Sequence, residues 1–355
     1  MTTTQEQIDQ FLNAKENKKF HFNHHEEINY KIPSGSLNLD LALDGGLPSG
    51  VHRFTGINEG GKTSCALMFA RNFQKMFPKD GMVVYIRSEG RLSPETIARA
   101  GIDTSKEKLF VFDCNVFEKV FELIRMLVND NKENKKFFFI VDSVDALCRE
   151  NDYDKPFADS EQVAGGALIT SVFLKKMVLP IMKSNHTMIL TSQVRIEVSS
   201  NPYASRGGPK TKQAGGNAVK HYANYILEFE ERYSTDIVWE NPSASRIEDK
   251  GNPIGHICKI KFRKSINEKT NASVRYPIRY GMKDGKSVWI EIWGLIEQKG
   301  AWINFDQTLL DQAKKDKIEI PEKIQGEQKL VTLIEEDLKA QNFLLGFIQD
   351  LLSNI

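Results

Sequence analysis

The chain has 355 residues, 40% of them apolar, enough to bury one large core and leave residues for a smaller satellite unit. Its 48 basic and 47 acidic residues leave a formal net charge of +1, so overall charge argues for no polyanionic partner and any basic surface must come from local clustering. No apolar stretch is long enough to span a membrane, residues 1–10 lack the basic-then-apolar order of a secretory signal, and Cys65, Cys114, Cys148 and Cys258 lack the paired spacing of a zinc site or disulfide framework. The expectation is a soluble intracellular protein whose cysteines are small core residues.

In chain order, Ile8, Phe11 and Leu12 share one face of a predicted N-terminal helix, which either folds back on its own domain or docks on a neighbour. Residues 20–29 read as a polar linker with a short strand. From Ile32 to Gly281, apolar runs alternate with amphipathic stretches. The runs 51–55, 82–87, 108–113, 137–142, 187–192 and 225–230 predict strands, several of them continuous β-branched or aromatic segments suited to burial on both faces. Residues 64–76, 117–128 and 166–183 predict helices between them, so the fold class is α/β, a mostly parallel sheet flanked by helices. A strand-like run at 287–293 and helices ending with 330–352 predict a small α+β C-terminal domain. The division is 1–30, 31–285 and 286–355.

Gly56-Ile57-Asn58-Glu59-Gly60-Gly61-Lys62-Thr63 fits G-x-x-x-x-G-K-[ST] and lies between a predicted strand and a predicted helix, the context a phosphate-binding loop requires. Glycines let backbone N–H groups turn toward phosphate oxygens, Lys62 supplies charge to the β- and γ-phosphates of ATP, and the Thr63 hydroxyl can hold Mg2+. The run Phe137-Phe138-Phe139-Ile140-Val141-Asp142 ends an apolar strand on a carboxylate, which would emerge beside the loop as the second metal-holding group. Hydrolysis also needs a group that orients or deprotonates water, and Glu89, just after the strand 82–87, is the candidate.

Further segments accompany these in order: 34–43 and 45–50 before the loop, Ser88-Glu89-Gly90, Val141-Asp142-Ser143-Val144-Asp145-Ala146-Leu147, Ser192-Gln193-Val194-Arg195, 215–223 and 295–302. The set resembles the bacterial RecA recombinase family and its phage relatives over about residues 32–305. The resemblance implies a RecA-type core with an N-terminal oligomerisation helix, in the cytoplasm of a bacterial or phage-infected cell. It implies that Glu89 activates water, that Gln193 reads the γ-phosphate, and that Ser64 and Tyr280 join the nucleotide-binding set. Either Arg263 or Lys264 would reach a neighbour's nucleotide, and the resemblance does not choose between them.

The same resemblance places a DNA-binding loop between Gln193 and Gly215, where Arg195, Arg206, Lys210 and Lys212 face the single acid Glu197. Its charge suits phosphates; Val198 or Tyr203 could wedge or stack against bases, and Gly215, Gly216 and Asn217 could bring backbone N–H groups close. A first loop would span 149–162, an acidic stretch in which Arg149, Lys155 and Phe157 are the candidate contacts. The implied function is a DNA-dependent ATPase that forms filaments of itself on single-stranded DNA and exchanges strands with homologous duplex DNA. The rivals are a helicase motor on the same core and a recombination mediator without strand exchange. Among its departures from the family, residues 92–96 hold no aromatic where the family stacks the adenine, and Arg87 stands where an acid is common.

Overall fold

The computed structural model describes residues 3–15, 17, 30–90, 92–153, 155, 164–196, 211–213, 216–239, 244, 246–279, 296–299 and 301–353. Helix α1 (Thr4–Asn13) opens with a capping box in which Thr3 and Glu6 satisfy each other's end groups. No residue of α1 is buried, and Ile8 and Phe11 stand 46% and 64% exposed.

The core follows as β1 (Lys31–Ile32), α2 (Leu37–Ala42), β2 (Leu47–Pro48), β3 (Gly50–Gly56), α3 (Lys62–Met76), β4 (Gly81–Arg87), α4 (Pro94–Ala100), β5 (Leu109–Asp113), α5 (Phe117–Asn129) and β6 (Lys136–Asp142). It continues through α6 (Glu150–Tyr153), α7 (Ala164–Lys183), β7 (Thr187–Ile196), β8 (Thr211–Gln213), α8 (Gly216–Tyr222), β9 (Tyr225–Phe229), β10 (Ile237–Trp239), β11 (Pro253–Lys264) and β12 (Ser273–Arg279). Strands β9, β3, β7, β6, β4 and β5 lie side by side and parallel, as the apolar runs predict, and every residue of β3 is buried. One face packs on α3 through Phe54, Phe69, Phe73 and Phe138; the other packs on α5 and α7, where Phe121 stacks on Phe173 at 4.1 Å. This is the α/β architecture expected, a mostly parallel sheet between helices.

The register brings the strand ends to one edge: Gly56 pairs with Gln193, and Arg87 with Asp142. In an open α/β sheet that C-terminal edge is where ligands bind. Beyond β9 the sheet turns antiparallel through β11, which pairs with β10 and β12. The sequence reading misses this wing. Cys258, Ile260 and Phe262 of β11 are buried, the residues between them less so, and that alternation carries no continuous apolar run.

The chain ends with β13 (Ile296–Lys299), β14 (Trp302–Phe305), α9 (Gln307–Lys315), β15 (Lys323–Gln325), α10 (Glu327–Glu336) and α11 (Leu338–Ser353). Phe305, Leu309, Leu310, Ile324 and Leu344 form their own apolar cluster, with Leu41 of α2 packed against it. The single helix expected at 330–352 is two helices, because the Asp337 carboxylate accepts the Lys339 and Ala340 N–H groups and starts a new helix there. Cys65 and Cys258 are core residues, whereas Cys114 and Cys148 are only half-buried. The linker at 20–29 and the strand expected at 287–293 lie outside the described residues. Among the described residues no helix is long and apolar enough to cross a membrane.

Candidate nucleotide site

The phosphate loop joins β3 to α3 along a path only glycine permits at two points. Gly56 has φ +148°, and a Cβ there would lie 2.2 Å from the Phe229 carbonyl oxygen; Gly61 has φ +102°, and its Cβ would lie 3.1 Å from Cys258 Sγ. The loop is therefore pressed against β9 and β11 from behind, which turns its open side to the sheet edge. No side chain caps the start of α3, so its first N–H groups remain for an anion. Lys62 Nζ donates to the carbonyl oxygens of Gly56 at 2.9 Å and Ile57 at 2.6 Å. Burial lowers its pKa, against the opposing charges of Asp142, Glu89 and Asp145.

Asp142 emerges from β6 directly across from α3. Thr63 Oγ1 donates to its Oδ2 at 2.8 Å, Tyr85 OH donates to the same oxygen at 2.5 Å, and Thr191 Oγ1 donates to Oδ1 at 2.6 Å. Burial and the Asp142 charge keep the Tyr85 phenol protonated, so it is a donor at any working pH. The peptide bond after Asp142 is cis. Ser143 Oγ donates to Glu89 Oε1, and Ser88 Oγ donates to the Ser143 carbonyl at 2.7 Å, which ties the Glu89 turn to the end of β6. A hydroxyl and a carboxylate are hard oxygen donors that suit Mg2+. Among the described residues no group of three or more His, Cys, Asp or Glu side chains is placed to hold a metal ion by itself, and one hydroxyl with one carboxylate suits a metal that arrives with phosphates.

These groups line a cleft of about 440 Å³, which brings together Asn58, Glu59, Gly61, Lys62, Thr63, Ser64, Glu89, Asp142 and Gln193 from the sequence-derived set. Gly56, Ile57 and Gly60 sit behind it; the Gly60 carbonyl accepts the Cys258 thiol at 3.3 Å. At the far end are Leu92 and Thr96, without an aromatic ring. Arg87 also faces the cleft, held by both oxygens of Asp113 at 2.6 Å and by the Leu92 carbonyl at 2.8 Å. It thereby fixes the chain that leads to α4.

Gln193 stands at the root of a hairpin. The strand expected to end at 192 runs on to Ile196, and β8 returns antiparallel, with Arg195 opposite Lys212. The ladder extends because each strand end offers the other its N–H and C=O groups. Val198, Tyr203, Arg206, Lys210 and Gly215 lie outside the described residues, as do Phe157 and Tyr280; Gly216 and Asn217 open α8. In the first loop, Lys155 pairs with Asp152 at 2.9 Å, and Arg149 precedes α6 with its Nε buried. Neither Arg263 nor Lys264 lines this chain's own cleft. Arg263 grips Glu228 through two hydrogen bonds of 2.5 and 2.7 Å, while Lys264 Nζ donates to the Lys220 and His221 carbonyls, each at 2.8 Å, at the C-terminal end of α8.

Sequence reasoning missed Tyr85, Thr191, Ser143, Arg53, Asp145 and Arg232. Arg232 donates to Glu59 in the loop at 2.8 Å, and Gln193 N donates to Asp145 Oδ2 at 2.5 Å. All but Arg232 lie in or just after predicted strands, none of them was assigned a role there, and their contacts follow from cross-strand register.

Relatives that match along much of this chain include Protein RecA of Cereibacter sphaeroides, 27% identical over 289 residues, which covers 80% of this chain and 77% of the relative. Protein RecA of Oleidesulfovibrio alaskensis is 27% identical over 313 residues, or 86% and 81% of the two chains, and that of Bartonella bacilliformis is 28% identical over 291 residues, or 80% and 76%. The RecA N-terminal domain family matches residues 2–273, which takes in the whole of the loop, the carboxylate strand and the hairpin, and this chain belongs to that family.

Proposed function

We propose that this chain is an ATP-dependent homologous-recombination protein that assembles as a filament of its own subunits on single-stranded DNA and exchanges strands with homologous duplex DNA. The observation that carries the reading is the position of Gln193, in the wall of the nucleotide cleft and at the root of the hairpin that leads into the basic segment. An amide that bonds only when a third phosphate is present binds two nucleotide states differently, and that difference is what a switch requires.

In this reading Lys62 exchanges its two loop carbonyls for phosphate oxygens, and the N–H groups at the start of α3 hold the phosphate chain. Bound Mg2+ neutralises phosphate charge, with Thr63 and Asp142 holding it. Glu89, aligned by the Ser143 hydroxyl, takes the proton of the water that attacks the γ-phosphorus, and ADP leaves. Residues 31–285 form the ATPase core, residues 286–355 a C-terminal domain, and residues 1–30 the polymerisation segment whose exposed Ile8 and Phe11 meet a neighbouring subunit. Arg263 or Lys264, neither of which lines its own cleft, completes the site of the neighbour.

The test is anisotropy of a labelled oligonucleotide across a salt series, with a slowly hydrolysed ATP analogue, beside a strand-exchange assay. Neutralising Arg206, Lys210 and Lys212 together should flatten the salt dependence by about 0.7 per lost phosphate contact and abolish exchange, while ATP still binds. An unchanged slope with normal exchange would move the DNA-binding assignment elsewhere.

A further inference from the structure

Arg53 has the largest fully buried side chain among the described residues, 1% exposed, in the middle of the strand that leads to the phosphate loop. A guanidinium there is costly unless its donors and its charge are met. Its Nε donates to Ser192 Oγ at 2.9 Å, and burial lowers its pKa to about 10 against the opposing charge of Asp145. Asp145, in the turn after β6, accepts the backbone N–H of Gln193 at 2.5 Å. The register sets Thr55 beside Ser192 and Gly56 beside Gln193, so Arg53 reaches forward from two residues back along β3.

Neither Arg53 nor Asp145 lines the nucleotide cleft, yet from the middle of β3 and the turn after β6 they converge on two consecutive residues of β7. An apolar side chain would fill the same space with no charge to desolvate, and replacing a buried ion pair in that way is often neutral or stabilising. What a polar anchor adds is direction: in a low dielectric its hydrogen bonds hold one geometry. We infer that Arg53 and Asp145 are positioning residues for Gln193, clamping the Ser192 hydroxyl and the Gln193 N–H so that the side-chain amide is presented to the γ-phosphate and its displacement passes into the β7–β8 hairpin. The inference rests on the reading of Gln193 as the γ-phosphate sensor proposed above. A loosely held strand end would absorb the movement of the amide, and the hairpin would not respond.

The experiment measures binding of a fluorescent, slowly hydrolysed ATP analogue and of the matching ADP to the full chain, and takes the ratio of the two dissociation constants. Gln193→Ala should lower the preference for the triphosphate about tenfold, the loss of one good hydrogen bond. Arg53→Met should lower it about fivefold or more while ADP affinity changes less than about twofold, and the double variant should fall no further than Gln193→Ala alone. Should Arg53→Met fail to fold, Ser192→Ala removes only the hydroxyl that Arg53 holds, and it should lower the preference about twofold to threefold. A merely structural role for Arg53 would weaken both nucleotides equally, and that result, or an unchanged ratio beside a reduced one for Gln193→Ala, overturns the inference alone. An unchanged ratio for Gln193→Ala overturns the sensor reading, and the inference with it.

Discussion

Two buried histidines should make this protein less stable in acid, in a way that a single substitution can dissect. His186 is fully buried, its Nδ1 accepts the Phe137 N–H at 3.1 Å, and burial drops its pKa from 6.5 to about 4. His52, also fully buried, bonds the Pro48 carbonyl at 2.9 Å through Nε2 and is likewise held at about 4. Between those values and the ordinary 6.5, the unfolded chain carries protons that the folded chain does not, so stability falls as pH drops through that window. From pH 7 to pH 5 each histidine costs about 2 kcal/mol, at roughly 1.4 kcal/mol per unit of pKa difference. His186→Asn keeps an acceptor for the Phe137 N–H and cannot titrate. It should be less stable than wild type at pH 7, because the ring that packs 5.2 Å from Phe137 is gone, yet its further loss on going to pH 5 should be smaller by about 2 kcal/mol. Urea unfolding at the two pH values measures this, and carboxylate titration cancels in the comparison. Equal pH sensitivity in the two proteins would refute the reasoning.

Lys62→Ala should abolish nucleotide binding, whereas Glu89→Gln should retain ATP and slow hydrolysis by a factor on the order of 10²; hydrolysis at the wild-type rate with DNA present would remove Glu89 from the role of base. Thr191→Val deletes the donor to Asp142 Oδ1 at near-constant shape and should lower stability by about 1.5–3 kcal/mol, read as a shift of the urea midpoint at unchanged slope. A midpoint indistinguishable from wild type would mean that Thr63 and Tyr85 suffice to hold the carboxylate. Deleting residues 1–29, which leaves Tyr30 packed on Phe77 at 5.1 Å, should yield a folded monomer by sedimentation, since no residue of α1 is buried; undiminished filaments would show that assembly lies elsewhere.

The loop from Gly56 to Thr63 and the run ending at Asp142 were legible because each is a local backbone event. Gly56 and Gly61 hold the positive φ that only glycine adopts without strain at those close approaches, and β6, buried between its neighbours, reads as a continuous apolar run up to the residue that leaves the sheet. Glu89 was a candidate by its position after a strand beside the loop, and only resemblance to a family singled it out from an ordinary carboxylate; Gln193 was legible through that resemblance alone, since an amide after a strand carries no signal of its own. The antiparallel wing was hidden because strands with one face less covered lack an unbroken apolar run. What surrounds the chemistry was not written locally at all. Tyr85 and Thr191 reach Asp142 across the sheet, and Arg53 reaches Ser192, 139 positions away in the chain. Their side-chain direction depends on which strands are neighbours and in what register, so the sequence by itself determined which groups could bind phosphate and metal, and only the tertiary structure decided which buried hydroxyls and charges hold those groups in place.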